Sequence, residues 1–148
     1  MKRFLFLCSG LIFFLTGCFG ESYDFSPPAI SLSSNSNIKS EELAEANVDW
    51  RGEGNKPIEK ETENILEMGK QQEQMYFAAG EKVELLSDHG DFQTLDLTVS
   101  LLKNGHRLDL EVKDASFYLP AEKGKYVIEV NLKTDAGKAQ YVGNIVIQ

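Results

Sequence analysis

His89 and His106 are the only imidazoles in a chain of 148 residues. His89 sits in Asp88-His89-Gly90-Asp91, where nitrogen and oxygen donors follow one another closely. Successive residues of a turn cannot all point at one ion, and a metal site needs three or four converging ligands, so the expectation is a solvated turn without metal. His106 follows Asn104-Gly105 and reads as an exposed hairpin residue. Carboxylates are plentiful, but Glu41-Glu42 and the set Glu59, Glu61, Glu63 and Glu67 have the look of solvated faces rather than of a paired acid and base. No Gly-x-Ser-x-Gly elbow occurs, and Gly52 and Gly54 follow a strand pattern without a phosphate-binding Lys-Ser/Thr pair. Neither a catalytic residue nor a cofactor is expected. Tyr76, Phe77, Phe92, Tyr118 and Tyr141 could line a binding face, although core packing explains such residues more simply, as it does Trp50 beside Ala46 and Val48.

Cysteine carries the one distinctive signal. Cys8 and Cys18 are the only two in the chain, and both lie near its start. Met1-Lys2-Arg3 is cationic, and Phe4 to Leu15 is an apolar run of about a dozen residues, too short for a hydrocarbon layer of roughly 30 Å but suited to a signal segment. Leu15-Thr16-Gly17-Cys18 resembles the bacterial lipobox, with a branched residue three places before the cysteine and small residues between. The resemblance implies transfer of a diacylglyceryl group to the Cys18 sulfur and cleavage between Gly17 and Cys18. Residues 1–17, Cys8 included, would then be discarded. The one remaining cysteine would already be alkylated, so no disulfide could form and stability would have to come from packing. A single acyl chain binds membranes only marginally, so the two or three chains of a lipoprotein anchor would hold the protein on the extracytoplasmic face of the membrane.

Composition narrows the class further. With 42% hydrophobic and 26% charged residues, the chain is globular rather than disordered. Lys2 and Arg3 are the only charges before Cys18, so processing would take the net charge from −8 to about −10. Such a surface repels nucleic acid, and in sequence the lysines are scattered among acids rather than gathered.

The elements that must position any site are mostly strands. Residues 18–26 read as the lipidated end and a tether. Pro27-Pro28 leads into Ala29-Ile30-Ser31-Leu32, an expected edge strand, and SSNSNIKS, residues 33–40, reads as a loop. Ala44, Ala46, Val48 and Trp50 recur at period two. Pro57 to Gln72 is the one helix candidate, with proline in its first turn, acids early and Lys70 late, expected to pack over an end of a sheet. From Met75 onward the period is two almost throughout. Leu95, Leu97, Val99 and Leu101 predict one inward face, Leu108, Leu110 and Val112 the return strand beyond Asn104-Gly105, and Thr134-Asp135-Ala136-Gly137 the last turn.

FYLPAEKGKYVIEV, residues 117–130, resembles the E–F corner of immunoglobulin-like domains: a strand ending at Leu119-Pro120, a crossing turn through Gly124, and Tyr126 near the start of the next strand. The resemblance implies that the Tyr126 hydroxyl bonds back to the crossing backbone, making Pro120, Gly124 and Tyr126 a structural corner. The cysteine pair and strand-C tryptophan of antibody domains are lacking. Residues 27–148 are also similar in plan to small lipoproteins of Gram-positive, Bacillus-like bacteria, through the Pro27-Pro28 start, Trp50, the mid-chain helix, Gly80-Glu81-Lys82-Val83 and the Pro120 to Tyr126 corner. That similarity implies a fold and a location, with no site residues attached.

The expectation is therefore a mainly β protein: an antiparallel immunoglobulin-like sandwich over 27–148, with one short helix, behind a lipoprotein signal. As function it implies a non-enzymatic binding module at the cell envelope, tethered through its acyl anchor and meeting an envelope protein, peptide or wall polymer. The alternatives are a soluble-ligand or cation-binding accessory protein using the acidic helix and the Asp88–Asp91 turn, and third a small hydrolase. Cys18→Ala is expected to release the protein or leave it as unprocessed precursor, as read by membrane fractionation and intact mass; a cleaved chain still held at the membrane would refute lipidation.

Overall fold

Alternating apolar and polar residues leave each strand one face to hide, and two sheets packed together hide both. The computed structural model describes residues 25–148. Residues 1–17, read above as a signal segment, Cys18 and all but the last two residues of the expected tether lie outside the described residues. One sheet is ordered β2 (Asn37–Glu42), β1 (Ile30–Ser34), β6 (Lys82–Ser87), β9 (Ser116–Tyr118). The other is ordered β4 (Pro57–Lys60), β3 (Ala44–Arg51), β11 (Gly137–Ile147), β10 (Gly124–Thr134), β7 (Thr94–Lys103), β8 (His106–Leu110). Neighbours pair antiparallel, except that β5 (Gln74–Phe77) runs parallel to the end of β11. The order β11-β10-β7-β8 facing β6-β9 is that of strands G, F, C and C′ facing B and E in an immunoglobulin-like sandwich. Between the sheets lies one core, in which Leu32, Phe77, Leu101, Phe117, Ile128 and Tyr141 are all but inaccessible.

Several elements depart from the sequence reading. β1 is not an edge strand: it lies between β2 and β6, and Pro27 and Pro28 precede it, so no ladder hydrogen bond is lost. The polar stretch read as a loop turns tightly and returns as β2, which itself forms the edge. Glu81 pins that turn, accepting from the Ser36 amide at 2.9 Å and hydroxyl at 2.7 Å and from the Ala78 amide at 2.9 Å. Burial, the largest single influence, pulls the Glu81 carboxyl upward, but these hydrogen bonds together outweigh it and hold its pKa below the ordinary value. The resulting stabilisation is present above the unfolded-state pKa and is lost as pH falls through the lowered one. Leu95 and Leu108, expected inward, are 57% and 46% exposed: Asp96 pairs with Lys133 but Thr94 with Thr134, so Leu95 is the extra residue of a bulge, and Leu108 lies on the edge strand β8.

β3 also divides its alternation between two faces. Ala139 pairs with Val48 but Tyr141 pairs with Glu45, so Ala46 and Asn47 together stand opposite Gln140 in a bulge. Beyond the bulge the parity flips: Val48 and Trp50 enter the main core, whereas Ala44 and Ala46 face outward beneath the helix.

The helix is shorter and lies elsewhere than expected. Pro57–Lys60 is an edge strand, with Ile58 opposite Trp50, and only α1 (Ile65–Lys70) is helical. Asn64 caps it, its side chain accepting from the Glu67 amide at 3.1 Å. Rather than covering an end of the sandwich, α1 lies on the outer face of the larger sheet, placing Ile65, Leu66 and Met68 against Ala46, Val127 and Val142. Gly69 is buried at that contact, and a Cβ built on it would stand 2.4 Å from Val127 Cγ1. Helix propensity alone would favour Gly69→Ala by about 0.5–1 kcal/mol. Overpacking against a stiff valine reverses the sign, and a net loss of about 1–2 kcal/mol is expected in urea unfolding, restored in part by adding Val127→Ala.

Candidate binding groove

On the outer face of the larger sheet the apolar half lies under α1 and the polar half is open. Because β10 alternates, Tyr126, Ile128, Val130 and Leu132 point into the core, and Val127, Glu129, Asn131 and Lys133 point outward. Glu129 is only 3% exposed. Arg107 Nη2 donates to its Oε2 at 2.7 Å, while Asn131 Nδ2 and Gln140 Nε2 donate to its Oε1 at 2.7 and 3.0 Å. On one side Arg107 Nη1 donates to Ser100 Oγ at 2.9 Å, and that hydroxyl donates to Asp109 at 2.7 Å. On the other, Asn47 Nδ2 donates to Gln140 Oε1, and the Thr62 amide donates to Asn47 Oδ1 at 2.7 Å. Side chains are thus bonded in one continuous line across β3, β11, β10, β7 and β8. A buried charge requires this: unpaired, the carboxylate would cost several kcal/mol in lost hydration.

Beside this line runs a groove of about 570 Å³, floored by β3, β11 and β10 and walled by residues 60–63, the end of β4 and the linker toward α1. Its volume suits a ligand of a few residues. Asn47, Asn131 and Gln140 reach it from the line, and Asp49, Lys138, Lys133 and Asp96 cross its far end in that order, each opposite the next in register. Serine, cysteine, histidine and aromatic residues are missing from the lining, and the one hydroxyl, Thr62 Oγ1, donates to the Ala46 carbonyl at 2.8 Å. Both Glu129 oxygens are already accepting, so this carboxylate orients the amides beside the groove.

The residues singled out in sequence lie elsewhere. The Tyr126 hydroxyl donates to the Glu122 carbonyl at 3.0 Å, in the turn that leads into β10. Lys103 Nζ stands 4.9 Å from the centre of that ring and 2.9 Å from Glu122, whose hydrogen bond holds the lysine pKa above its ordinary value. Gly124 has φ 147°, and a Cβ there would meet Lys103 Nζ at 2.9 Å; Pro120 accepts from the Gly80 amide at 3.2 Å. Gly17 and Cys18 are outside the described residues. Asp88 is occupied as a clamp, its carboxylate accepting from the Ala29 amide at 2.8 Å. His89 lies 4.0 Å from the carboxylates of both Asp88 and Asp91, edge-on to Phe92. Among the described residues no group of three or more histidine, cysteine or acidic side chains is placed to hold a metal ion. Phe77, Tyr141 and Trp50 are core, with the Tyr141 hydroxyl donating to the Pro28 carbonyl at 2.6 Å and its ionisation pushed up chiefly by burial, then by the charges of Glu45 and Asp88. Tyr76 and Tyr118 are exposed. Compared with models of known protein families the chain matches none, and a search of curated proteins finds no match either.

The groove escaped the sequence reading because Glu129 and Arg107 look like ordinary solvated positions of alternating strands. The one legible signal was the turn at residues 134–137, which must set Lys133 opposite Lys138. Arg107→Leu removes one of three donors from the buried carboxylate and is expected to cost about 1.5–3 kcal/mol in chemical denaturation. Combining it with Glu129→Leu should cost clearly less than the sum of the two single changes, because the double variant leaves neither charge unpaired.

Proposed function

We propose that this chain is a lipid-anchored, non-enzymatic binding module of the bacterial cell envelope, held through Cys18 on the extracytoplasmic side, with the groove as its ligand surface. The observation that carries the groove assignment is the bonded line of side chains beside it: the groove's amides are fixed before any ligand arrives, which lowers the ordering cost of binding. A lining without serine, cysteine or histidine supplies no activated nucleophile and favours holding a ligand over converting one. The anchor rests on the n-region, apolar run and lipobox-like residues of the first 18 positions, and the similarity in plan to small lipoproteins of Bacillus-like bacteria points the same way. Anchoring raises the local concentration of the module at the membrane, so modest affinity suffices.

The test is a titration of the isotope-labelled domain, residues 25–148, with solubilised envelope fragments, read by amide shifts and by the mass of the recovered fragments. Shifts confined to β3, β10, β11 and residues 60–63, weakened about tenfold by Asn131→Ala, with fragments returned unchanged, are expected. Shifts confined to other surfaces, an absence of shifts, or fragments returned cleaved would each overturn the proposal.

A further inference from the structure

The far end of the groove contains an arrangement that folding alone does not favour. Lys133 and Lys138 are paired residues of β10 and β11, directly opposite one another and both facing out. Like charges in that position repel. Asp96 and Asp49 are their outer neighbours, yet among the described residues neither lysine has an ion-pair partner. Two ammonium groups therefore stand side by side at the end of a preformed groove, with one acid beyond each.

We infer that the groove binds a short peptide with a free terminal carboxylate, which sits between Lys133 and Lys138 while the peptide backbone lies along Asn131 and Gln140. This deepens the binding reading above and rests on it. The charge order across the sheet, negative, positive, positive, negative, fits one carboxylate. It disfavours a polyanion such as a phosphodiester polymer, whose further charges would meet Asp49, Asp96 and a chain of net charge −8. Sugar rings present apolar faces that stack on aromatic side chains, and none lines this groove. A peptide offers N–H and C=O groups instead, and the free capacity here is of that kind. Asn131 uses one Nδ2 hydrogen on Glu129 and keeps its other hydrogen and Oδ1; Gln140 keeps one Nε2 hydrogen. Along β10, Asn131 lies two residues from Lys133, roughly 6.8 Å, which is the span of two residues of extended peptide. A carboxylate at the lysines thus sets backbone amides of the preceding residues over the asparagine. Lys60 also lines the groove but turns its Nζ toward the Glu45 carbonyl at 2.6 Å, away from this end, and Glu61 and Glu63 share its wall.

The experiment titrates residues 25–148 with a randomised tetrapeptide pool bearing free carboxyl ends and with the same pool amidated, alongside chitobiose and inorganic phosphate. Expected are shifts at Asn131, Lys133, Lys138 and Gln140 with the free pool, and binding about tenfold weaker after amidation. Lys133→Gln and Lys138→Gln should each weaken it about three- to tenfold, with the unfolding midpoint unchanged or raised. Binding that is equal for free and amidated pools, preference for chitobiose or phosphate, or no binding of the free pool at millimolar concentration would overturn the inference. If envelope fragments still shift the groove in those cases, the binding-module reading stands without the peptide; if they do not, both fall.

Discussion

A carboxylate taken almost wholly out of water constrains everything around it. Arg107, Asn131 and Gln140 hold their donors against Glu129, and these three come from β8, β10 and β11. They converge only in one register, with Glu129 opposite Ser100, Ser100 opposite Asp109 and Asn131 opposite Gln140. Sliding β10 by a single residue would turn Glu129 into the apolar core and Ile128 or Val130 out of it. The same demand reaches β3, where the bulge brings Asn47 over Gln140, and Asn47 in turn receives the Thr62 amide just before the helix. One buried charge thus links strand register, the bulge and the placement of α1.

The outer face of the larger sheet is consequently divided. Near α1 it is a second small core built on Ala46, Val127 and Val142, close enough that only a glycine fits at position 69. Farther along the same strands it becomes a row of amides and then a row of charges. The helix ends the apolar part, and the linker that leads into it walls the open part. Scaffold and groove are therefore two ends of the same strands rather than separate modules.

Much of the sandwich could be read from residues whose consequences are local. Period-two alternation located β6, β7, β10 and β11, and the Pro120 to Tyr126 stretch marked the corner because a tyrosine bonding four residues back depends on little beyond its own loop. What could not be read depended on partners distant in sequence. Pro57–Lys60 carries the start signals of a helix and becomes a strand because β3 offers an open edge beside Ile58. The serine-rich residues before Glu42 look like a loop until Glu81, more than 40 positions on, pins their turn. Leu95 and Leu108 carry the inward pattern in sequence, but a bulge against β10 displaces Leu95, and Leu108 stands on the edge strand β8. The groove was the least legible feature, since its floor joins residues from 47 to 140 and each alone resembles ordinary surface.

The loop carrying Asp88, His89 and Phe92 joins two places that are far apart in sequence. Asp88 grips the backbone of Ala29, where the chain enters the sandwich; Gln93 exchanges hydrogen bonds with Asp135 at the β10–β11 turn; and Phe92 leans edge-on against Trp50, opposite Gly137. The point of entry and the lysine end of the groove therefore share one pole of the domain. In a chain anchored at Cys18, the stretch to Pro28 reaches at most about 35 Å when fully extended. The anchoring proposed above would therefore keep the lysine end of the groove within a few nanometres of the bilayer.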